Sequence, residues 1–221
     1  MRRGPPPSQL TFHIKRRMPP TVQFAVLMFA AAMVQTAAAE VDGKAFTRMA
    51  GFELGVGRLT EIQRQLGPSA IQKTGDAGEY EERLCYLVSA GTVSFLAGEV
   101  GGSNNLSGFE LTSKRLSGCG RWPARIPQPK LSIAGVYVGM PMSRFVTVVP
   151  TAKRIEDGRL IGGFESKLPY TQGDLKAFSP GIRSQIARGE MQSHWDVVVS
   201  VAARFEHLKL TEVRVWKTVT N

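Results

Sequence analysis

Residues 54–68 read LGVGRLTEIQRQLGP and residues 138–150 read VGMPMSRFVTVVP. Allowing a one-residue gap, Gly55 aligns with Gly139, Thr60 with Ser143, Ile62 with Phe145 and Leu66 with Val149. Ile62 and Leu66 stand four apart, as do Phe145 and Val149, so each segment predicts a short helix with one apolar stripe. Gly67-Pro68 and Pro150 end these helices, because proline cannot continue the hydrogen-bond ladder.

Strand-type runs follow each segment. After the first come 83–88 (RLCYLV), 92–97 (TVSFLA) and, beyond the loop at 101–105, 106–112 (LSGFELT). After the second, 152–156 and 159–166 flank Asp157-Gly158, a strong two-residue hairpin signal. Residues 197–205 and 208–217 predict a final antiparallel hairpin. Between the two halves, RLSGCGRWPARIPQPK (115–130) is broken by prolines and glycines and reads as a linker. An insertion at 169–195 carries one more short helix. Ser179 can cap it, Pro180 suits its first position, Ile182 and Ile186 share a face, and Gly189 can stop it.

A helical segment opening on an apolar residue and glycine, then an antiparallel sheet, given twice, resembles the β-lactamase-inhibitor-protein-like fold. A single copy of the unit is similar to the small lipoprotein of the outer-membrane β-barrel assembly machine. The resemblance covers about residues 51–217. It implies an α+β chain of two tandem helix-loop-helix plus antiparallel-sheet repeats sharing one curved sheet, and a bias toward binding. The divisions are then a leader at 1–39, a first repeat at 40–114, a linker at 115–131, and a second repeat at 132–221 holding the 169–195 insertion. The chain departs from the lipoprotein because no lipid-acceptor cysteine follows the leader.

The leader reads as an export signal. Arg2, Arg3, Lys15, Arg16 and Arg17 make a basic start, an apolar run covers 22–34, and Gln35-Thr36-Ala37-Ala38-Ala39 ends in small residues suited to cleavage. The apolar run is shorter than the roughly 20 residues a membrane span needs, so no transmembrane span is expected in the mature chain. All 18 acids lie after residue 39, and removing the five leader bases lowers the net charge from +10 to about +5. Export and an even cysteine count predict a disulfide between Cys85 and Cys119. The expected location is the periplasm or outside the cell.

No catalytic constellation stands out. His207 falls in the turn of the last hairpin, and His194 with Asp196 is too few ligands for a metal. Glu79, Glu81 and Glu82 read as a solvated strand entrance. Gly55-Val56-Gly57 is too short for a phosphate cradle. No nucleophile motif appears, and no metal, cofactor or nucleic-acid partner is expected. Alternation along the last hairpin places Arg214 and Trp216 opposite Val213 and Val215, and Arg204 with Ser200 and Ala202, so Arg204, Arg214 and Trp216 form a candidate binding surface. Tyr86 and Phe95 are expected in the core. The function read from these residues is an exported soluble binding protein of the cell envelope, without catalysis. Its expected partner is another envelope protein or an anionic envelope component; oligomeric state is not legible. The alternatives are a secreted hydrolase using carboxylates distant in sequence, and a structural accessory subunit of an envelope complex.

Overall fold

The computed structural model describes residues 42–76, 80–98 and 102–220, so residues 1–39, expected as an export leader, and Glu79 lie outside the described residues. The Asp42 carboxylate accepts from the Lys44 N–H at 2.9 Å and starts a 3-10 turn, Gly43–Thr47. A two-residue ribbon follows, β1 (Arg48–Met49) and β2 (Phe52–Glu53), and then α1 (Leu59–Leu66). Next come β3 (Ile71–Thr74), β4 (Glu81–Val88), β5 (Gly91–Gly98), β6 (Gly108–Thr112) and β7 (Gly120–Arg121). A second ribbon, β8 (Ser132–Ile133) and β9 (Val136–Tyr137), leads into α2 (Met142–Val148). The chain then runs through β10 (Lys153–Arg154), β11 (Leu160–Pro169), α3 (Gln172–Ala177), α4 (Pro180–Ala187), β12 (His194–Glu206) and β13 (Lys209–Thr220). Both ribbons turn on an Ala-Gly pair with positive φ, 51° and 86° at Ala50-Gly51 and 47° and 84° at Ala134-Gly135. Such turns match the right-handed twist of the strands they join.

One sheet organises everything else. Its strands lie in the order β10-β11-β12-β13-β6-β5-β4-β3, every neighbour antiparallel, and β7 adds a short parallel pairing to the edge of β4. Side chains alternate across it. Leu84, Tyr86, Val93, Phe95, Phe109, Leu111, Val199, Val201, Val213 and Val215 are all buried on one face. Against that face pack Phe46, Leu54, both ribbons, Leu59, Ile62 and Leu66 of α1, and Phe145 and Val149 at α2. Phe145 meets Phe205 edge-on at 5.5 Å.

The expected α+β architecture of two tandem helix-loop-helix plus sheet repeats is not what forms. The protein is mostly β, built on a single nine-stranded sheet, with one short helix where each helix-loop-helix unit was expected. The i, i+4 stripes at Ile62/Leu66 and Phe145/Val149 are real and buried, but each holds only a helix of two turns. The partner helices are replaced by the ribbons, whose Ala-Gly turns resemble ordinary linker sequence. Neither α3 nor α4 has a fully buried residue. They lie between the paired ends of β11 and β12, where Pro169 faces His194 and Tyr170 meets Phe178 and Trp195 edge-on. Ser179 caps α4 through the Ile182 N–H, with Pro180 at its first turn. No helix among the described residues is long and apolar enough to cross a membrane.

Cys85 and Cys119 form a disulfide, 34 residues apart. Closing a loop of that size stabilises by about 3–4 kcal/mol in the chain-entropy view. Its effect is local as well. The segment after β6 crosses the far face of the sheet, where the Thr92 hydroxyl donates to the Lys114 carbonyl at 2.7 Å and accepts from the Leu116 N–H at 3.1 Å. The disulfide then fixes it at β4, and the Gly120 N–H donates to the Ser69 hydroxyl, which itself donates to the Cys85 carbonyl. Past β7 the chain rounds the edge of β4 and buries Trp122 edge-on against Tyr86.

Candidate functional site

The face of the sheet turned away from the helices splits into two parts. Over β4 and β5 it is closed by the disulfide-held crossing, which leaves Cys85, Thr92 and Ser94 without exposure. Over β11, β12 and β13 it is open. Strand register sets the rows of that outer face. One runs Cys85, Ser94, Glu110, Arg214, Ala202, Ile161; the next runs Arg83, Leu96, Gly108, Trp216, Ser200, Gly163. Arg204 stands opposite Glu212 one row further on. Arg204, Arg214 and Trp216 therefore do share one face. Arg204 is exposed, and Arg214 and Trp216 are half-buried. In its row Trp216 stands between Gly108 and Ser200, two small residues. Trp216 is not at a sheet edge, since β13 lies between β12 and β6.

Arg214 is not the free cation that alternation along β13 suggests. Its guanidinium pairs with Glu81 on β4, across the intervening strands β6 and β5. Glu81 also accepts from Arg83 at 3.2 Å, and Arg83 holds both oxygens of Glu110, at 2.7 and 3.0 Å. The result is an alternating array, Arg214–Glu81–Arg83–Glu110. Glu110 is only 5% exposed, and burial raises its pKa although Arg83 opposes the rise. The hydroxyl of Ser94, beside Glu110, is buried and has no hydrogen-bond partner among the described residues.

Glu81 and Glu82, the first two residues of β4, are not a solvated entrance. Glu82 is 3% exposed and points to the helix side of the sheet. Burial opposes its ionisation, yet hydrogen bonds from Tyr80, Lys73, the Asn104 N–H and the Ser103 hydroxyl outweigh it and hold the carboxyl at about 2. Asn104, so positioned, caps α1 by accepting from the Thr60 N–H at 3.0 Å. Glu82 thus links β3, β4 and the start of α1. Because its folded pKa lies below the ordinary carboxylate value, its contribution is present above about pH 4.5 and is lost as pH falls toward 2. Urea titrations of wild type and Glu82→Gln should differ by about 3 kcal/mol near neutrality, the difference shrinking through that window. A difference independent of pH would remove Glu82 from this role.

The two histidines stay apart from this array. His194 is 3.4 Å from Asp196 at the start of β12, and His207 occupies the exposed two-residue turn between β12 and β13 with positive φ. Among the described residues no three His, Cys, Asp or Glu side chains cluster as metal ligands do. The sequence reading missed Arg83 and Glu110 as partners. The signal available was a charge on the outer parity of two strands, β4 and β6, but only the register of both with β5 between them could pair the two. Compared with known protein families, characterised proteins and solved structures, the chain matches none.

Proposed function

We propose that the protein is an exported, non-catalytic binding protein of the cell envelope, periplasmic or secreted, which holds another envelope protein on the outer face of β11–β13. The observation that carries this reading is Trp216, half-buried and flanked by Gly108 and Ser200, with the exposed Arg204 and the Glu81-anchored Arg214 beside it. Aromatic and arginine side chains on a rigid surface are the usual anchors of protein recognition. The ion-pair array fixes Arg214 on that surface before any partner arrives, which lowers the ordering cost of binding. The leader at 1–39 and the Cys85–Cys119 disulfide support the location.

Glu81 and Glu110, carboxylates distant in sequence with one pKa raised, are the feature that would favour a hydrolase. Arg83 binds both, which suits an ion-pair array better than proton transfer. Exposed Leu168, Met191 and Val219 near the insertion are the feature that would favour an accessory subunit.

A photo-crosslinking residue placed at 216 should, in living cells, capture one envelope protein, while the same residue at the exposed Lys176 on α3 should not. Crosslinking from neither position, or the same products from both, would remove the outer face as the binding surface.

A further inference from the structure

The positive charge of this protein is concentrated in one stretch. Residues 111–155 contain eight Lys and Arg and no Asp or Glu, while the remainder after residue 39 has more acids than bases. That stretch includes the crossing, β7, the second ribbon and α2. Folding brings part of it together at the end of β4, around a cleft with two lobes.

The larger lobe, about 600 Å³, is walled by Ala90, Pro129, Leu131, Tyr137 and Val138, with exposed Lys130 at its side. The smaller, about 380 Å³, lies against Leu87 and Val88 and is bordered by Arg115, Arg121 and Trp122. Ser89 and Gln128 line both lobes, and the Ser89 N–H donates to Gln128 Oε1 at 2.9 Å between them. Among the described residues no carboxylate lines either lobe. Arg115 donates to the Val88 carbonyl at 3.3 Å, which aims its guanidinium along the β4 end. Arg121 and Lys130 have no ion-pair partner among the described residues. The Arg144 guanidinium stacks 5.6 Å from the centre of the Tyr137 ring and adds to the field at the larger lobe.

Three cations without a counter-ion among the described residues, two of them guanidiniums, match a doubly charged oxyanion better than a single carboxylate, since the arginine fork pairs with two oxygens at once. We propose that this cleft binds a phosphate-bearing molecule, with the phosphate held by Arg115 and Arg121 and the less polar body lying in the larger lobe beside Leu131 and Tyr137. The disulfide, the Thr92 hydrogen bonds and the β7–β4 pairing hold the arginines in place, so the site is formed in advance. It stands apart from the outer face of β12 and β13, with β5 and β6 between, and does not depend on the binding role assigned there.

The test measures binding of the full mature chain to phenyl phosphate by calorimetry, and its co-sedimentation with vesicles of phosphatidylglycerol against vesicles of phosphatidylcholine. Arg121→Glu, and separately Arg115→Gln, should weaken binding by roughly tenfold or more. Lys176→Glu, which makes the same charge change as Arg121→Glu on α3, should leave it within about twofold, and wild-type binding should weaken as salt rises. Binding of phenyl phosphate with this pattern supports the site with a free phosphate ester as its ligand. Binding only of phosphatidylglycerol vesicles, with the same pattern, supports it with a lipid headgroup as the ligand. Binding of neither probe, or equal weakening by Arg121→Glu and Lys176→Glu, overturns the proposal.

Discussion

Phe95→Ala is expected to lower the free energy of unfolding by about 3–5 kcal/mol, among the largest effects available to a single truncation in this chain. Phe95 has no exposed surface. It sits on β5, between Leu84 of β4 and Phe109 of β6 in the register. Its ring meets Phe52 at 5.1 Å, Phe109 at 6.0 Å and Tyr86 at 6.4 Å, all edge-on, the arrangement aromatic quadrupoles favour. Phe52 comes from the first ribbon, so this one ring joins that ribbon to three central strands. Tyr86 cannot collapse into the gap, because its hydroxyl donates to the Gly67 carbonyl at 2.8 Å and Trp122 packs on it from the other side. Removal therefore leaves a cavity that the surroundings fill only in part. Denaturant unfolding should show a lower midpoint with an unchanged slope, and Phe95→Leu should recover much of the loss. A loss below about 1 kcal/mol would mean that the ring is not the centre of this packing.

Sequence patterns reached the local elements and stopped at the long-range ones. The strand formers of RLCYLV and TVSFLA, set between turn residues, named β4 and β5, and Asp157-Gly158 named the turn before β11, because both depend on neighbours a few residues apart. The outer-face residues Arg204, Arg214 and Trp216 were placed on one face for the same reason. Alternation says which way a side chain points, however, and not what lies above it. Nothing near Arg214 in the sequence indicates Glu81, which reaches it only because β13 pairs with β6, about a hundred residues earlier. Glu82 looked solvated for a similar reason: its partners Ser103 and Asn104 come from a loop some twenty residues on. The helix-loop-helix expectation failed locally. Two apolar residues four apart support two turns of helix, and the Ala-Gly ribbon turns carry no strand signal of their own. The binding reading accordingly rests on the surface and not on the family resemblance.

Arg83→Ala should destabilise by about 3–5 kcal/mol, far more than loss of an exposed ion pair, because it leaves a charge stranded. Glu110 is nearly inaccessible and both of its oxygens are held by Arg83. The other cation acting on it, Arg214, is pulled toward Glu81, and Glu212 and Glu81 add repulsion. Without Arg83 the Glu110 carboxyl, already raised by burial, is pushed further up, and the folded variant takes up a proton that the unfolded chain releases more readily. The sign of the pH dependence follows. A carboxyl whose folded pKa lies above its unfolded value favours folding below the unfolded pKa, and that advantage is lost as pH rises through the folded one. The deficit of Arg83→Ala relative to wild type should therefore be smallest near pH 4 and grow toward neutrality, where the stranded carboxylate costs most. Arg83→Leu combined with Glu110→Leu removes both charges and should return stability to within about 1 kcal/mol of wild type, since apolar groups of similar size can replace a buried pair at little cost. That recovery separates the stranded charge from simple loss of packing around Arg83. If the single variant loses under about 1 kcal/mol at every pH, or the double variant is no better than the single, Glu110 is not held as a stranded buried charge and the array on the outer face is not what holds that face rigid.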